Sequence, residues 1–175
     1  IILIVVTPLS SFLFPNISHL HHSKKQDKIK AILQAIYNTG FFMFLPLGLI
    51  FFLFPQEIII VLFGSKYIAA KIPLQILAIG FIFKGFSSIN FAVLDGIGKI
   101  KKKSRIIYIG AILNIISNLI LIPLAGIVGA ALATSISFLV MMLFSTNYLK
   151  KYFNPSYKNW SKTIFNSILF VFIVI

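Results

Sequence analysis

The chain of 175 residues contains no cysteine and only three acidic residues, and charged residues of either sign make up 11% of it. The missing cysteines exclude a disulfide scaffold and a zinc-ribbon site. Soluble domains carry about 25% charged residues, so the polar surface here is too small to cover a water-soluble globule. Hydrophobic residues, by contrast, make up 59% of the chain, and 19 residues are phenylalanines. This composition excludes a disordered chain and predicts an integral membrane protein.

Apolar runs follow one another along the whole sequence. A membrane-spanning helix needs about 20 mostly apolar residues. The runs that reach such a length cover approximately 1–20, 31–54, 72–95, 106–122 and 127–147. A further run, at 163–175, is too short to cross, and the sequence has no initiator methionine. We therefore expect an all-α integral membrane bundle with five full spans and one truncated span, within an internal fragment of a longer protein.

The basic residues concentrate in alternate loops. Residues 21–30, 96–105 and 148–162 hold four, five and four of the 16 lysines and arginines, whereas the second loop holds only Lys66 and Lys71. Cytoplasmic loops of membrane proteins accumulate such residues. The pattern places the three basic loops on the cytoplasmic side of the cell membrane, with the last of them interfacial, and predicts contacts with anionic lipid headgroups. Because the bases do not gather on one soluble face, no nucleic-acid partner is predicted.

Lys84 lies near the middle of the third span. A lysine at that depth costs about 2.5–3.5 kcal/mol, so it faces the bundle interior or a water-filled cavity. Ser87 and Ser88 fall on the same face of the helix. Asp95, about 16 Å further along the axis, is too distant for an ion pair. The cation therefore meets either an anionic substrate group or a distant carboxylate, or it packs against carbonyls of a neighbouring helix.

Two amides and a row of small residues mark the next two spans. Asn114 and Asn118 share one face of the fourth span, where they either form interhelical hydrogen bonds or line a cavity. In the fifth span, Gly129, Ala133 and Ser137 are spaced by four residues. Small residues at this spacing let two membrane helices approach closely, so we expect a packing interface there.

No catalytic or metal-binding constellation is visible. The three acids lie on separate segments, so no carboxylate pair for acid–base chemistry is formed. The sequence also has no glycine-rich loop that would cradle phosphates. We therefore expect no enzyme, no metal and no cofactor. The candidate residues, all for substrate binding, are Lys84, Ser87, Ser88, Asn114 and Asn118.

Several segments together resemble a known family. They include PLSSFLFPNISHL, FLPLGL, LFGSKYIAA, LDGIGKIKKKS and NLILIPLAGIVGAALAT. Over residues 1 to about 153 the chain resembles the C-terminal half of polysaccharide transporters, the flippases of O-antigen-type lipid-linked oligosaccharides. Their superfamily also includes multidrug and toxin extruders and peptidoglycan-precursor flippases. The resemblance implies fourteen helices in two lobes, with this chain supplying helices eight to twelve and the start of thirteen in a MATE-like C-terminal lobe.

The resemblance also implies a function. Such proteins translocate a lipid-linked oligosaccharide by alternating access between two lobes, so the N-terminal lobe of the same protein is an expected partner. Basic residues in their central cavity hold the pyrophosphate or acidic sugars, and Lys84 is the base at that depth here. The alternatives are a cation-coupled multidrug exporter, a peptidoglycan lipid-precursor flippase and, more distantly, a non-transporting membrane scaffold. Among the acids within the spans, the exporter could use only Asp95, at the inner end.

Overall fold

The computed structural model describes residues 15–23 and 26–153, and nearly all of them are helical. Residues 15–22 form a short helical stretch. The elements that follow are α1 (Gln26–Leu53), α2 (Pro55–Phe63), a 3₁₀ helix (Ser65–Ala70), α3 (Lys71–Gly96) and α4 (Ile100–Lys150). Three of the described helices, α1, Ser65–Gly96 and α4, are long and apolar enough to cross a membrane. The predicted all-α class is confirmed.

α4 folds back on itself at Gly126. This glycine has φ 54° and ψ −131°, a conformation that residues with a Cβ rarely adopt. Across it, the Asn114 side-chain amide lies 3.5 Å from the Thr134 hydroxyl. The two arms, 100–125 and 127–150, are therefore antiparallel and correspond to the fourth and fifth predicted spans. Each is about 36–39 Å long, enough to cross a hydrocarbon core of about 30 Å.

The helices extend beyond the apolar runs from which they were predicted. α1 begins at Gln26 rather than 31, and α4 begins at Ile100 rather than 106. Both extensions are mostly polar, and residues such as Gln26 and Lys101 have good helix propensity and carry the helix past the hydrocarbon boundary. Pro123 lies within the first arm, three residues before the turn at Gly126. The predicted spans 1–20 and 163–175 lie wholly or largely outside the described residues, so the count of five full spans remains a prediction.

α3 is the central helix of the described bundle. It runs antiparallel to α1, and Phe44 of α1 and Ile89 of α3, both almost completely buried, pack between the two helices. It runs parallel to the second arm, and the closest approach is at Gly80, where a Cβ would lie 2.4 Å from the Ser135 hydroxyl oxygen. The Ser135 hydroxyl also donates a hydrogen bond of 3.0 Å to the carbonyl of Ile76. Small residues thus bring α3 and the second arm into backbone contact, as in other membrane helix pairs.

Basic residues gather at one end of this bundle. The connection between α3 and α4 meets the end of the second arm there, as shown by the position of Lys102 over the Tyr148 ring, and the 2.6 Å ion pair of Lys103 with Asp95 closes the connection. Because α1 runs antiparallel to α3, its start lies at the same end. We call this the basic end. Lys66 and Lys71 lie at the opposite end, where Lys71 is 3.4 Å from the Gln56 side chain. The separation of the loops agrees with the charge pattern, while their cytoplasmic location stays a prediction.

Candidate functional site

A cavity of about 320 Å³ lies between α3 and the two arms of α4. Its polar lining consists of Lys84, Asn114, Thr134 and Ser137. The apolar lining consists of Phe91, Ile107, Gly110, Ala111, Phe138 and Met141. Its volume is near the lower end for ligand pockets, about 300–1,000 Å³, and is sufficient for a headgroup-sized substituent.

Lys84 projects into this cavity from the middle of α3. Its Nζ lies 5.4 Å from the centroid of the Phe138 ring, within the range of a cation–π interaction. The ion pair found among the described residues joins Asp95 to Lys103. No carboxylate of these residues lies within 4 Å of the Lys84 ammonium. Lys84 thus borders the cavity and also lies over a ring of the neighbouring second arm, and its role in substrate binding stays a prediction.

Ser87 and Ser88 are not part of the cavity lining. Both hydroxyls donate hydrogen bonds of 2.9 Å to the carbonyl oxygen of Lys84, and Ser87 is completely buried. A serine within a helix commonly satisfies its hydroxyl in this way, by bonding to a carbonyl three or four residues earlier. The two serines thus lie next to Lys84 along the chain, but only Lys84 presents its polar group to the cavity.

The two amides of the fourth predicted span form a hydrogen-bonded chain. Asn118 donates a bond of 3.0 Å to the side-chain oxygen of Asn114, whose own amide points to Thr134 on the other arm. The Thr134 hydroxyl donates in turn to the carbonyl of Ala130, at 2.9 Å. Asn114 therefore combines both predicted roles, since it bridges the arms and lines the cavity. Asn118 supports it from behind and lies outside the lining.

The small residues of the second arm face two neighbours. A Cβ at Gly129 would lie 2.0 Å from the carbonyl oxygen of Leu121, so this glycine packs against the first arm. Ala133 is completely buried. Ser137 donates a hydrogen bond of 2.8 Å to the Ala133 carbonyl and also lines the cavity. The predicted packing interface is confirmed, and one of its members also contributes to the candidate site.

A second polar cluster, which sequence reasoning missed, is buried nearer the basic end. The Tyr37 hydroxyl of α1 donates to the side-chain oxygen of Asn90 in α3. The Asn90 amide donates to Ser145 at 2.9 Å and to Thr146 at 3.0 Å, both on the second arm. Asn90 and Ser145 have no exposed surface. Each helix contributes only one or two polar residues, so no local sequence pattern predicts this network. The one sequence signal is Asn90 itself, because an asparagine within a span needs hydrogen-bond partners.

The polar groups that line the cavity are chemically suited to an anion. The Lys84 ammonium supplies three hydrogen-bond donors, and the amide and hydroxyl groups beside it are neutral. Among the residues that the structure describes, no three His, Cys, Asp or Glu side chains come together as they would at a metal centre. An ionised phosphate oxygen would form charge-assisted hydrogen bonds here, which are stronger than bonds between neutral groups.

The apolar helices and the cationic cavity define the class of protein as a multi-pass membrane protein with an internal polar site. A family model described as "Lipid II flippase MurJ" matches residues 2–175. The chain therefore belongs to the MurJ lipid II flippase family, and the prediction of a flippase is confirmed at that level. The match is to a lipid II flippase rather than to the polysaccharide transporters that the motifs resemble.

Curated relatives support this membership. The chain is 34% identical over 151 residues to the uncharacterized membrane protein MJ1068 of Methanocaldococcus jannaschii. This alignment covers 86% of this chain and 30% of that protein. It is 30% identical over 171 residues to the probable low-salt glycan biosynthesis flippase Agl15 of Haloferax volcanii, covering 94% of this chain and 36% of that protein. The chain thus spans about a third of the length of these relatives. No solved structure matches it.

Proposed function

We propose that this chain is part of the C-terminal lobe of a flippase that moves a lipid-linked oligosaccharide across the cell membrane by alternating access. The observation that carries the proposal is Lys84, an ammonium group in a cavity halfway along a spanning helix, without a carboxylate partner among the described residues. A transported anion pairs with the ammonium only while it is bound. A permanent carboxylate partner would compete with that anion, so a transport site leaves the lysine without one. The other lobe of the same protein completes the cavity.

The binding mode follows from the donors at the site. A phosphate linking the glycan to its lipid accepts hydrogen bonds from the Lys84 ammonium and from the amide of Asn114. The Phe138 ring holds the ammonium in the empty site by a cation–π interaction worth about 0.5–2 kcal/mol. This competing contact moderates the affinity, which a transporter needs in order to release its cargo. Alternating access around a site near the bilayer midplane requires no covalent chemistry.

The proposal has two versions, which differ in the glycan lipid that is transported. The similarity to Agl15, whose name specifies glycan biosynthesis, favours a lipid-linked oligosaccharide. The description of the family model favours the peptidoglycan precursor lipid II instead. Both substrates join sugar to lipid through phosphate, so Lys84 serves either one. The sugar-recognising surface, including any contribution from the other lobe, makes the distinction.

We place the basic end on the cytoplasmic side of the membrane. The bases of the α3–α4 connection, Lys99 to Arg105, and those at the end of the second arm follow the positive-inside distribution. In that orientation the Gly126 turn and the 3₁₀ helix face the opposite side. The cavity is then reached from the cytoplasm before translocation, where the glycan lipids are assembled.

The test is a flipping assay with the full-length protein in vesicles that contain a fluorescent lipid-linked oligosaccharide or fluorescent lipid II. We expect Lys84→Ala to slow flipping of the true substrate about 10- to 100-fold, the loss of one or two charge-assisted hydrogen bonds. Lys84→Arg should retain part of the rate, and Lys84→Glu should abolish it. Lys66→Ala is the matched control, because Lys66 also lies over a tyrosine ring, at 5.1 Å, but at the far end of the bundle. Unchanged flipping by Lys84→Ala and Lys84→Glu contradicts the proposal.

A further inference from the structure

Two lysines at the basic end lie over two tyrosine rings. The Lys99 Nζ is 5.8 Å from the centroid of the Tyr152 ring, and the Lys102 Nζ is 5.8 Å from that of Tyr148. The rings are 5.5 Å apart, and their hydroxyl oxygens share a hydrogen bond of 3.2 Å. We call these four residues the lysine–tyrosine shelf. It joins the α3–α4 connection to the end of the second arm, so it exists only in the folded hairpin.

The α3–α4 connection holds the two lysines in position. Gly98, at φ 70°, reverses the chain after α3, and the backbone N–H of Lys99 donates a hydrogen bond of 2.7 Å to the Leu94 carbonyl. The ion pair between Asp95 and Lys103, at 2.6 Å, closes the same turn. The one acid of this connection is therefore already engaged, and the described ion pairs include neither Lys99 nor Lys102.

The hydroxyl groups complete the set of donors. Because one of the two tyrosine hydroxyls donates to the other, one proton remains available for a further acceptor. The hydrogen bond with Tyr148 and the nearby ammonium groups of Lys99 and Lys102 lower the pKa of Tyr152, although burial opposes this effect. Two ammonium groups and one available hydroxyl thus lie at the same pair of rings, and among the described residues neither ammonium takes part in an ion pair.

The depth of the shelf in the bilayer indicates where an anion comes from. α3 ends at Gly96 and the first arm begins at Ile100, so the chain leaves and re-enters the hydrocarbon at this connection. Lysine and tyrosine side chains at the ends of spanning helices lie at the level of the lipid headgroups. Next to the shelf, Leu143 and Phe144 of the second arm are about half exposed, a surface suited to acyl chains.

We propose that the lysine–tyrosine shelf binds the headgroup phosphate of an anionic phospholipid in the leaflet at the basic end. Lys99 and Lys102 donate to the phosphate oxygens, and the available tyrosine hydroxyl adds a third bond. The bound lipid links the α3–α4 connection to the end of the second arm and so stabilises the hairpin. From Lys84 to the end of α3 at Gly96 is about 18 Å. The shelf is therefore distinct from the cavity, and this inference does not rest on the proposed transport function.

The experiment titrates phosphatidylglycerol into the full-length protein held in phosphatidylcholine nanodiscs and measures bound lipid by native mass spectrometry. We expect the double variant Lys99→Gln/Lys102→Gln to bind the anionic lipid roughly 25-fold more weakly, about five-fold for each direct hydrogen bond lost from a lysine to the phosphate. The matched control is Lys101→Gln/Arg105→Gln, which removes the same charge from the start of α4 without touching a ring. It should lose at most about five-fold, because it loses only diffuse attraction, which is screened by salt. An equal loss in both double variants overturns the proposal.

A second variant keeps every charge. Tyr148→Phe/Tyr152→Phe leaves both rings and both lysines in place and removes only the hydroxyls, so it should weaken lipid binding about three- to ten-fold. Because phenylalanine keeps the shape of the tyrosine ring, this variant should fold normally, and it provides the test if the lysine variant is unstable. Inorganic phosphate at millimolar concentration should not displace the lipid; displacement would show a free-phosphate site instead. Full binding of phosphatidylglycerol by both shelf variants also refutes the inference.

Discussion

Polar residues inside the spans find two different environments. Asn90 is completely buried, and its amide oxygen and nitrogen are bonded to partners on two other helices. Lys84 is only partly covered, and its ammonium faces a cavity in which an aromatic ring is its described contact. A buried group with all its hydrogen bonds stabilises a fold, whereas a charge kept without a partner costs stability. The two residues should therefore respond to apolar replacement with opposite signs.

Replacing Asn90 should destabilise the protein. In Asn90→Leu, the Tyr37 hydroxyl and the Ser145 and Thr146 hydroxyls lose their common partner, at an expected cost of about 1–3 kcal/mol in the free energy of unfolding. Reversible unfolding of the full-length protein in mixed micelles measures it. Ser88→Ala, which loses only a local bond to the Lys84 carbonyl, is the control and should cost much less. A wild-type stability for Asn90→Leu would show that the network contributes nothing.

Replacing Lys84 should have the reverse effect on stability. Lys84→Met keeps the length of the side chain and removes the charge, whose cost in a spanning helix exceeds the cation–π interaction with Phe138. We expect the free energy of unfolding to rise by roughly 1 kcal/mol while flipping falls, measured in parallel on the same preparation. If Lys84→Met instead destabilises the protein as strongly as Asn90→Leu, the lysine is a structural residue.

At the scale of elements, α3 and the second arm form one tightly packed pair. Their contact at Gly80 and Ser135 is close enough to exclude a methyl group, and the Asn90 network joins the same two helices nearer the basic end. The first arm forms the other wall of the cavity. The cavity therefore lies beside a closely packed pair of helices that carries both Lys84 and Phe138.

The contact at Gly80 can be tested by a compensating change. Gly80→Ala places a Cβ 2.4 Å from the Ser135 hydroxyl oxygen, so the helices must separate, at a cost of about 1–3 kcal/mol. Ser135→Gly opens space at the same point, and the double variant should recover at least half of the loss. Thermal unfolding of the four proteins forms a double-mutant cycle. Additive losses would show that the two positions do not meet.

At the scale of the whole molecule, the folded hairpin and the grouped bases give the bundle two distinct ends. The absence of cysteine from the chain makes this arrangement accessible to labelling with single cysteines. The relatives with which the chain was compared are about three times as long as this chain.

Single cysteines should report opposite sides of the membrane. In a cysteine-free full-length protein in intact cells, Lys66→Cys and Leu124→Cys should react with an impermeant maleimide from outside. Lys101→Cys should react only after the membrane is opened. The reason is that Lys66 and the Gly126 turn lie at one end and the α3–α4 connection lies at the other. Equal labelling of Leu124→Cys and Lys101→Cys in intact cells contradicts a membrane-spanning first arm.

The class of protein, the approximate positions of the described spans and the turn at Gly126 can be predicted from the sequence. These features depend on apolar content, charge and backbone freedom, which are local properties that a bilayer or a turn acts on directly. The depth of Lys84 is local in the same sense, because it follows from counting residues along one helix. The helix ends are less predictable, since polar residues such as Gln26 continue a helix beyond the apolar run.

Only the tertiary structure decides which polar groups meet. Ser87 and Lys84 share a helix face in the sequence, yet the serine bonds to the backbone and the lysine faces the cavity. Asn90 acquires its partners from two distant helices, and Lys99 reaches Tyr152 only because the hairpin returns the second arm to the basic end. The physical reason is that helix rotation and the choice of neighbour depend on packing between helices, which no single span encodes.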